Sequence, residues 1–150
     1  MKQLRVFSRQ KTRRVDMPLL RRAALCVVQE LLGWEDCQIA VYLIEPSEMA
    51  SLNQTHLHHE GSTDVITFDY GGRSGEIFIS IDDAVGQGRQ FRRPWQEELA
   101  RYVAHGLLHL AGYDDLHAAK RRAMKRRENI FVKELSRRFD LRKLERRKNV

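Results

Sequence analysis

The sequence predicts an α+β fold in which a small mixed four-stranded sheet packs with about five helices, one of them shaped like the metal-bearing helix of a metalloprotease. Three observations predict it. Strand-forming runs gather in the first half of the chain and helical periodicity in the second. Two β-branched runs flank a Gly-rich turn between residues 63 and 82. An apolar helical run at 94–112 carries two histidines four residues apart.

Each element follows in order. "LRVFSR" (4–9) alternates weakly and reads as a first strand. "DMPLLRRAALCVVQELLG" (16–33) is a punctuated helix, with Asp16 as its cap, Pro18 in its first turn and Gly33 as its stop. Its apolar residues Leu19, Leu20, Ala23, Ala24, Val27 and Leu31 recur at three and four, so one face packs on something flat. "CQIAVYLIEP" (37–46) is a buried strand, and Pro46 and Ser47 open a short helix through "SEMASLNQTHL" (47–57). "TDVITFDYGGRSGEIFISID" (63–82) is a hairpin, after which Asp82 caps a helix to about Phe91. "PWQEELARYVAHGLLHLAG" (94–112) is the next helix and ends at Gly112. A long basic helix runs from about Asp115 to Arg138, and the last dozen residues are frayed or helical.

At 150 residues and 42% hydrophobic, the chain is large enough for a core that needs no staples. It has no repeat, no low-complexity linker and no composition break, so the expectation is one domain over 1–150 with a basic C-terminal helix and tail from about residue 120. No run approaches the ~18 apolar residues of a membrane span. The basic N-terminus lacks the apolar segment of a secretory signal. Cys26 and Cys37 lie within apolar segments and read as small core residues of a reducing compartment rather than as a disulfide. A cytoplasmic protein is expected, with no membrane partner.

Charge is divided unevenly. Residues 1–22 carry eight Lys or Arg against Asp16 alone, and residues 120–150 carry fourteen against four acids. The middle has five against fifteen, so the net +7 conceals basic ends around an acidic centre. That pattern fits a polyanion gripped by the periphery, with the acids doing local work near the middle. The competing reading makes "KRRAMKRREN" and "LRKLERRKNV" solvated helix faces.

"HGLLHLAGYDD" (105–115) concentrates the chemistry. His105 and His109, four apart on a helix, share one face and can aim nitrogens at one point. Val103, Ala104, Leu107, Leu108 and Leu110 make the helix apolar nearly all round, and buried imidazoles need a hydrogen-bonding or metal partner. The pair alone does not separate a satisfied core from a ligand pair. Gly112 can take a left-handed conformation that returns "YDD" across the helix face, with Asp115 six residues beyond His109. Metalloprotease helices place a third ligand at this offset after a Gly turn. Their general base is a Glu directly after the first histidine, and Gly106 stands there, so the peptidase reading has a metal without a base.

"HGLLHLAGYDD" resembles the signature HGxLHLxGYDH of the YbeY family, bacterial endoribonucleases that mature ribosomal RNA. "LNQTHLHHEGSTDVITF" resembles the family's LN and TDVLSF block, and "GEIFIS" its GDIxIS strand, in the family's order and spacing over roughly residues 35 to 120. The resemblance implies a metal-dependent, single-strand-specific endoribonuclease of late ribosome assembly, acting at the 3′ end of small-subunit (16S) rRNA. It implies one zinc per chain on His105, His109 and the third signature position. That position aligns with Asp115 where the family has histidine, so the site becomes two imidazoles and a carboxylate, with His117 as the alternative third ligand. The family's "LNxxYR" arginine aligns with Leu57, and His56, His58 and His59 surround it as exposed loop residues or as donors near phosphate.

Thr63 and Asp64 read either as order-giving neighbours of the metal or as turn chemistry. For substrate grip the sequence nominates Arg89, Arg92, Arg93 and Arg101, with Phe91, Trp95 and Tyr102 as stacking surfaces or core. The competing function is a non-catalytic rRNA-binding ribosome-assembly factor with a structural zinc. The catalytic acid and the oligomeric state have no sequence signal.

Overall fold

The computed structural model describes residues 2–55 and 64–146. The nominated His56, Leu57, His58, His59 and Thr63 lie outside the described residues. Four strands, β1 (Lys2–Arg9), β2 (Cys37–Ile44), β3 (Val65–Gly71) and β4 (Ser74–Ser80), form one sheet in the order β1-β2-β4-β3. β1 and β4 both run parallel to β2, and β3 is antiparallel to β4, so the sheet is mixed as expected. Gly71 and Gly72 turn the β3–β4 hairpin at φ +84° and +59°, a conformation that glycine adopts without Cβ strain.

The first helix departs from its sequence reading. Regular α-helix α1 covers Met17–Cys26, and a π-helical turn at Val27–Leu31 completes the run. Asp16 caps it as expected, its side chain accepting from the Leu19 N–H at 3.0 Å. α2 covers Pro46–Thr55, α3 Ile81–Phe91, α4 Trp95–Leu110 and α5 Ala118–Arg138. The cap of α3 is Ser80 rather than Asp82: the Ser80 hydroxyl accepts from the Asp83 N–H at 3.2 Å, and Asp82 falls in the first turn. α5 begins at Ala118, three residues after the expected start, because residues 113–117 form the connection that carries Asp115. The last described residues are tied to the body of the fold: Leu141 and Leu144, in a 3-10 turn, enter the core, and Glu145 bridges back to Val15.

The main core lies between the sheet and the helices. α4 sits across β3 and β4, flanked by α3 and α5. Leu99, Ala104, Leu107 and Leu108 of α4 are fully buried, as are Ile77 and Ile79 of β4. Cys26 and Cys37 are buried free thiols, matching their reading as core residues. Gly106 sets the depth of this contact, because a Cβ there would meet Ile77 Cγ2 at 2.7 Å. The helix therefore approaches the sheet more closely than any side chain at 106 allows. This also accounts for the missing metalloprotease base, since position 106 faces the sheet.

Candidate metal centre

Helix geometry places His105 and His109 on one face of α4, with ring centroids 4.8 Å apart. The helix then ends in a turn built by its own backbone. The Tyr113 N–H donates to the Leu108 carbonyl at 3.0 Å and the Gly112 N–H to that of His109 at 3.0 Å, while Gly112 sits at φ +98°. This reversal returns the chain across the histidine face. Asp115 Oδ2 lies 4.0 Å from His105 Nε2 and 3.9 Å from His109 Nε2. One ligand atom from each of the three residues lies within 4.8 Å of the others.

The donor chemistry fits a small divalent cation. Two imidazole nitrogens and one carboxylate oxygen form a set that zinc accepts. Their separations, 4.8 Å at most, exceed the about 3.4 Å spacing of tetrahedral zinc ligands by an amount that small side-chain rotations absorb. All three side chains are about one-fifth exposed, so the cluster is sheltered yet open on one side. His117 is exposed at the start of α5 and is not part of the cluster.

A buried polar layer stands behind the histidines. His105 Nδ1 lies 2.9 Å from Glu128 Oε2 of α5. Glu128 also accepts from Arg101 Nη1 at 3.1 Å and from Lys125 Nζ at 3.2 Å, and Arg101 Nη1 donates to Asn129 Oδ1 at 2.7 Å. Burial opposes the charged form of Glu128, but His105, Lys125 and Arg101 outweigh it and hold the carboxyl down at about 2. On the other flank, the Tyr102 hydroxyl donates to Asp64 Oδ2 at 3.3 Å, and the Asp64 carbonyl accepts from the Ser80 N–H at 3.0 Å. Burial first, then the Asp64 carboxylate, pushes the Tyr102 pKa up, so its hydroxyl remains a donor.

A cleft of about 620 Å³ opens beside the cluster, lined among others by Asp64, Phe91, Arg93, Arg122, Lys125 and His105. The nominated grip residues divide here. Arg89, Arg92 and Arg93 are exposed, and Arg93 lies 5.6 Å from the Phe91 ring. Arg101 is only 9% exposed and spends its guanidinium on Glu128 and Asn129, which makes it an internal partner rather than a surface cation. Phe91 is 52% exposed in the cleft, whereas Tyr102 is buried and Trp95 packs against the core. Arg121 and Arg122 of α5, which the sequence assigned to the basic ends and did not nominate among the grip residues, line the cleft.

Glu128 carried a signal that the sequence reading passed over. The buried residues of α5 are Met124, Glu128, Phe131, Val132 and Leu135, so Glu128 occupies a core position on an otherwise apolar stripe. A lone acid on such a stripe, in a helix crowded with cations, marks an internal partner.

A mixed sheet whose covering helix offers two imidazoles and a carboxylate beside a basic cleft defines an α+β protein with a candidate metal centre. The chain belongs to the YbeY family: residues 5–136 match the family described as Endoribonuclease YbeY. The Endoribonuclease YbeY of Chlorobium luteolum is 35% identical over 128 residues, covering 83% of this chain and 93% of that protein. Its counterpart in Chlorobaculum parvum is 36% identical over 132 residues, covering 86% and 92%. The solution structure of TM1509 from Thermotoga maritima is similar at a TM-score of 0.61 and 27% identity, covering 88% of each chain.

Proposed function

We propose that the chain is a zinc-dependent, single-strand-specific endoribonuclease that trims the 3′ end of small-subunit rRNA late in ribosome assembly in the cytoplasm. The observation that carries this reading is the convergence of His105, His109 and Asp115 at the edge of a cleft lined with cations. The names of its relatives supply the reaction class. A zinc held by these three side chains supplies Lewis acidity toward the phosphodiester and the attacking water.

The chain's own residues do the rest. Arg93, Arg122 and Lys125 hold the phosphate backbone along the cleft. Phe91 offers an exposed ring on which an unpaired base stacks, a contact duplex RNA cannot make without unstacking. Tyr102 orders Asp64 at the cleft wall. A second reading, the non-catalytic assembly factor with a structural zinc, draws on one feature: Asp115 and Leu57 stand where the family signature has histidine and arginine.

Incubating zinc-loaded protein and its His109→Ala variant with single-stranded rRNA separates the two. Cutting by the parent alone supports the nuclease. RNA bound but uncut by both moves the assignment to the assembly factor.

A further inference from the structure

A helix remote in sequence from the "HGLLHLAGYDD" motif reaches the back of its first histidine. Glu128 is 5% exposed, and its two oxygens face three nitrogens: Oε2 lies 2.9 Å from His105 Nδ1, and Oε1 accepts from Arg101 Nη1 at 3.1 Å and from Lys125 Nζ at 3.2 Å. Arg101 and Lys125 both donate to Oε1, the arrangement of a carboxylate, which accepts hydrogen bonds and donates none. The proton of a neutral His105 must then sit on Nδ1, which leaves the Nε2 lone pair facing Asp115 and His109. Arg101 cannot drift from this arrangement, because it is itself buried and tied to Asn129 at 2.7 Å.

We propose that Glu128 is a positioning residue: its carboxylate, braced by Arg101, fixes His105 as the Nδ1–H tautomer and so presents Nε2 to the metal. The inference rests on the metal reading given above and extends it from the ligands to α5. In this arrangement the C-terminal helix sets the strength of the site. A carboxylate behind a histidine ligand contributes roughly 10- to 100-fold in metal affinity.

The test uses two variants, because removing Glu128 alone strands a buried guanidinium. Glu128→Gln keeps an acceptor of the same volume, and the double variant Glu128→Leu with Arg101→Met removes the acceptor and its brace together. Two readouts are taken, with circular-dichroism melting as the check that each variant is folded. Long-range proton–nitrogen correlation spectra of metal-free protein, at a pH where imidazoles are neutral, report the His105 tautomer. Competition against a chromophoric chelator reports zinc affinity.

The parent is expected to carry Nδ1–H, and the double variant to shift to Nε2–H and lose roughly 10- to 100-fold in zinc affinity, with Glu128→Gln between the two. A parent with its His105 proton on Nε2 overturns the inference, as does a folded double variant with parental affinity. A parent that binds no zinc overturns the metal reading itself and this inference with it, and the tautomer measurement tells the two failures apart.

Discussion

Arg101 illustrates how burial decides what a cation does. In the sequence it is one of four arginines available for phosphate, and in the fold it is 9% exposed and committed to Glu128 and Asn129. Replacing it with alanine takes a cationic donor from the buried Glu128 carboxylate, which keeps His105 and Lys125, and costs about 1–3 kcal/mol. Chemical denaturation of Arg101→Ala measures that loss. Glu128 also gives stability a pH dependence of known sign. Its folded pKa of about 2 lies below the ordinary 4.5, so its stabilisation is complete above pH 4.5 and disappears as the pH falls toward 2. Metal-free Glu128→Gln should lose less stability than the parent across that window. Asp115 makes a further prediction. An anionic ligand leaves a zinc ion a weaker Lewis acid than a third imidazole does, so Asp115→His should cleave RNA faster at saturating zinc. A variant no faster than the parent counts against that account of Asp115.

At the scale of elements, α4 and its terminal turn deliver the site, and both depend on glycine. Alanine at 106 gains up to about 1 kcal/mol of helix propensity. Its Cβ, 2.7 Å from Ile77 Cγ2, forces repacking that costs about 1–3 kcal/mol, so the balance falls on destabilisation. Thermal melting of Gly106→Ala checks the sign. Gly112 differs, since a Cβ there meets nothing within 4 Å and only the backbone at φ +98° resists. Gly112→Ala should cost about 1 kcal/mol and weaken zinc binding, because Asp115 depends on that reversal. These elements show what was legible. Four-residue spacing placed the histidines on one face, and the Gly after the helix implied a return that brings Asp115 within 4.0 Å of both. Periodicity was less informative about helix ends, where a hydroxyl two residues upstream captured the α3 cap expected of Asp82. Nothing local announced the π-helical turn after Cys26, where the run keeps its apolar face.

Across the whole molecule, the uneven charge is used in three dimensions. The basic helix α5 brings Arg121, Arg122 and Lys125 to the same cleft as Arg93 of the α3–α4 connection. Sequence gave the sign of this surface but not its meeting point, because the pairing of α5 with α4 depends on long-range packing around Glu128 and Phe131. The α+β class and the mixed sheet were readable from patterning, whereas the order β1-β2-β4-β3 was not, since alternation identifies a strand's faces and not its neighbours. Replacing Arg93 and Arg122 together should weaken single-stranded RNA binding and flatten its salt dependence by about 1.4 in the slope of log K against log salt, at about 0.7 per lost phosphate contact. Fluorescence titrations at several salt concentrations measure it. The most direct test of the central claim compares single-stranded and duplex rRNA of one sequence, incubated with zinc-loaded protein before and after chelation. Cleavage confined to the single strand and abolished by the chelator is the result predicted. Cleavage that survives complete removal of the metal would contradict the account.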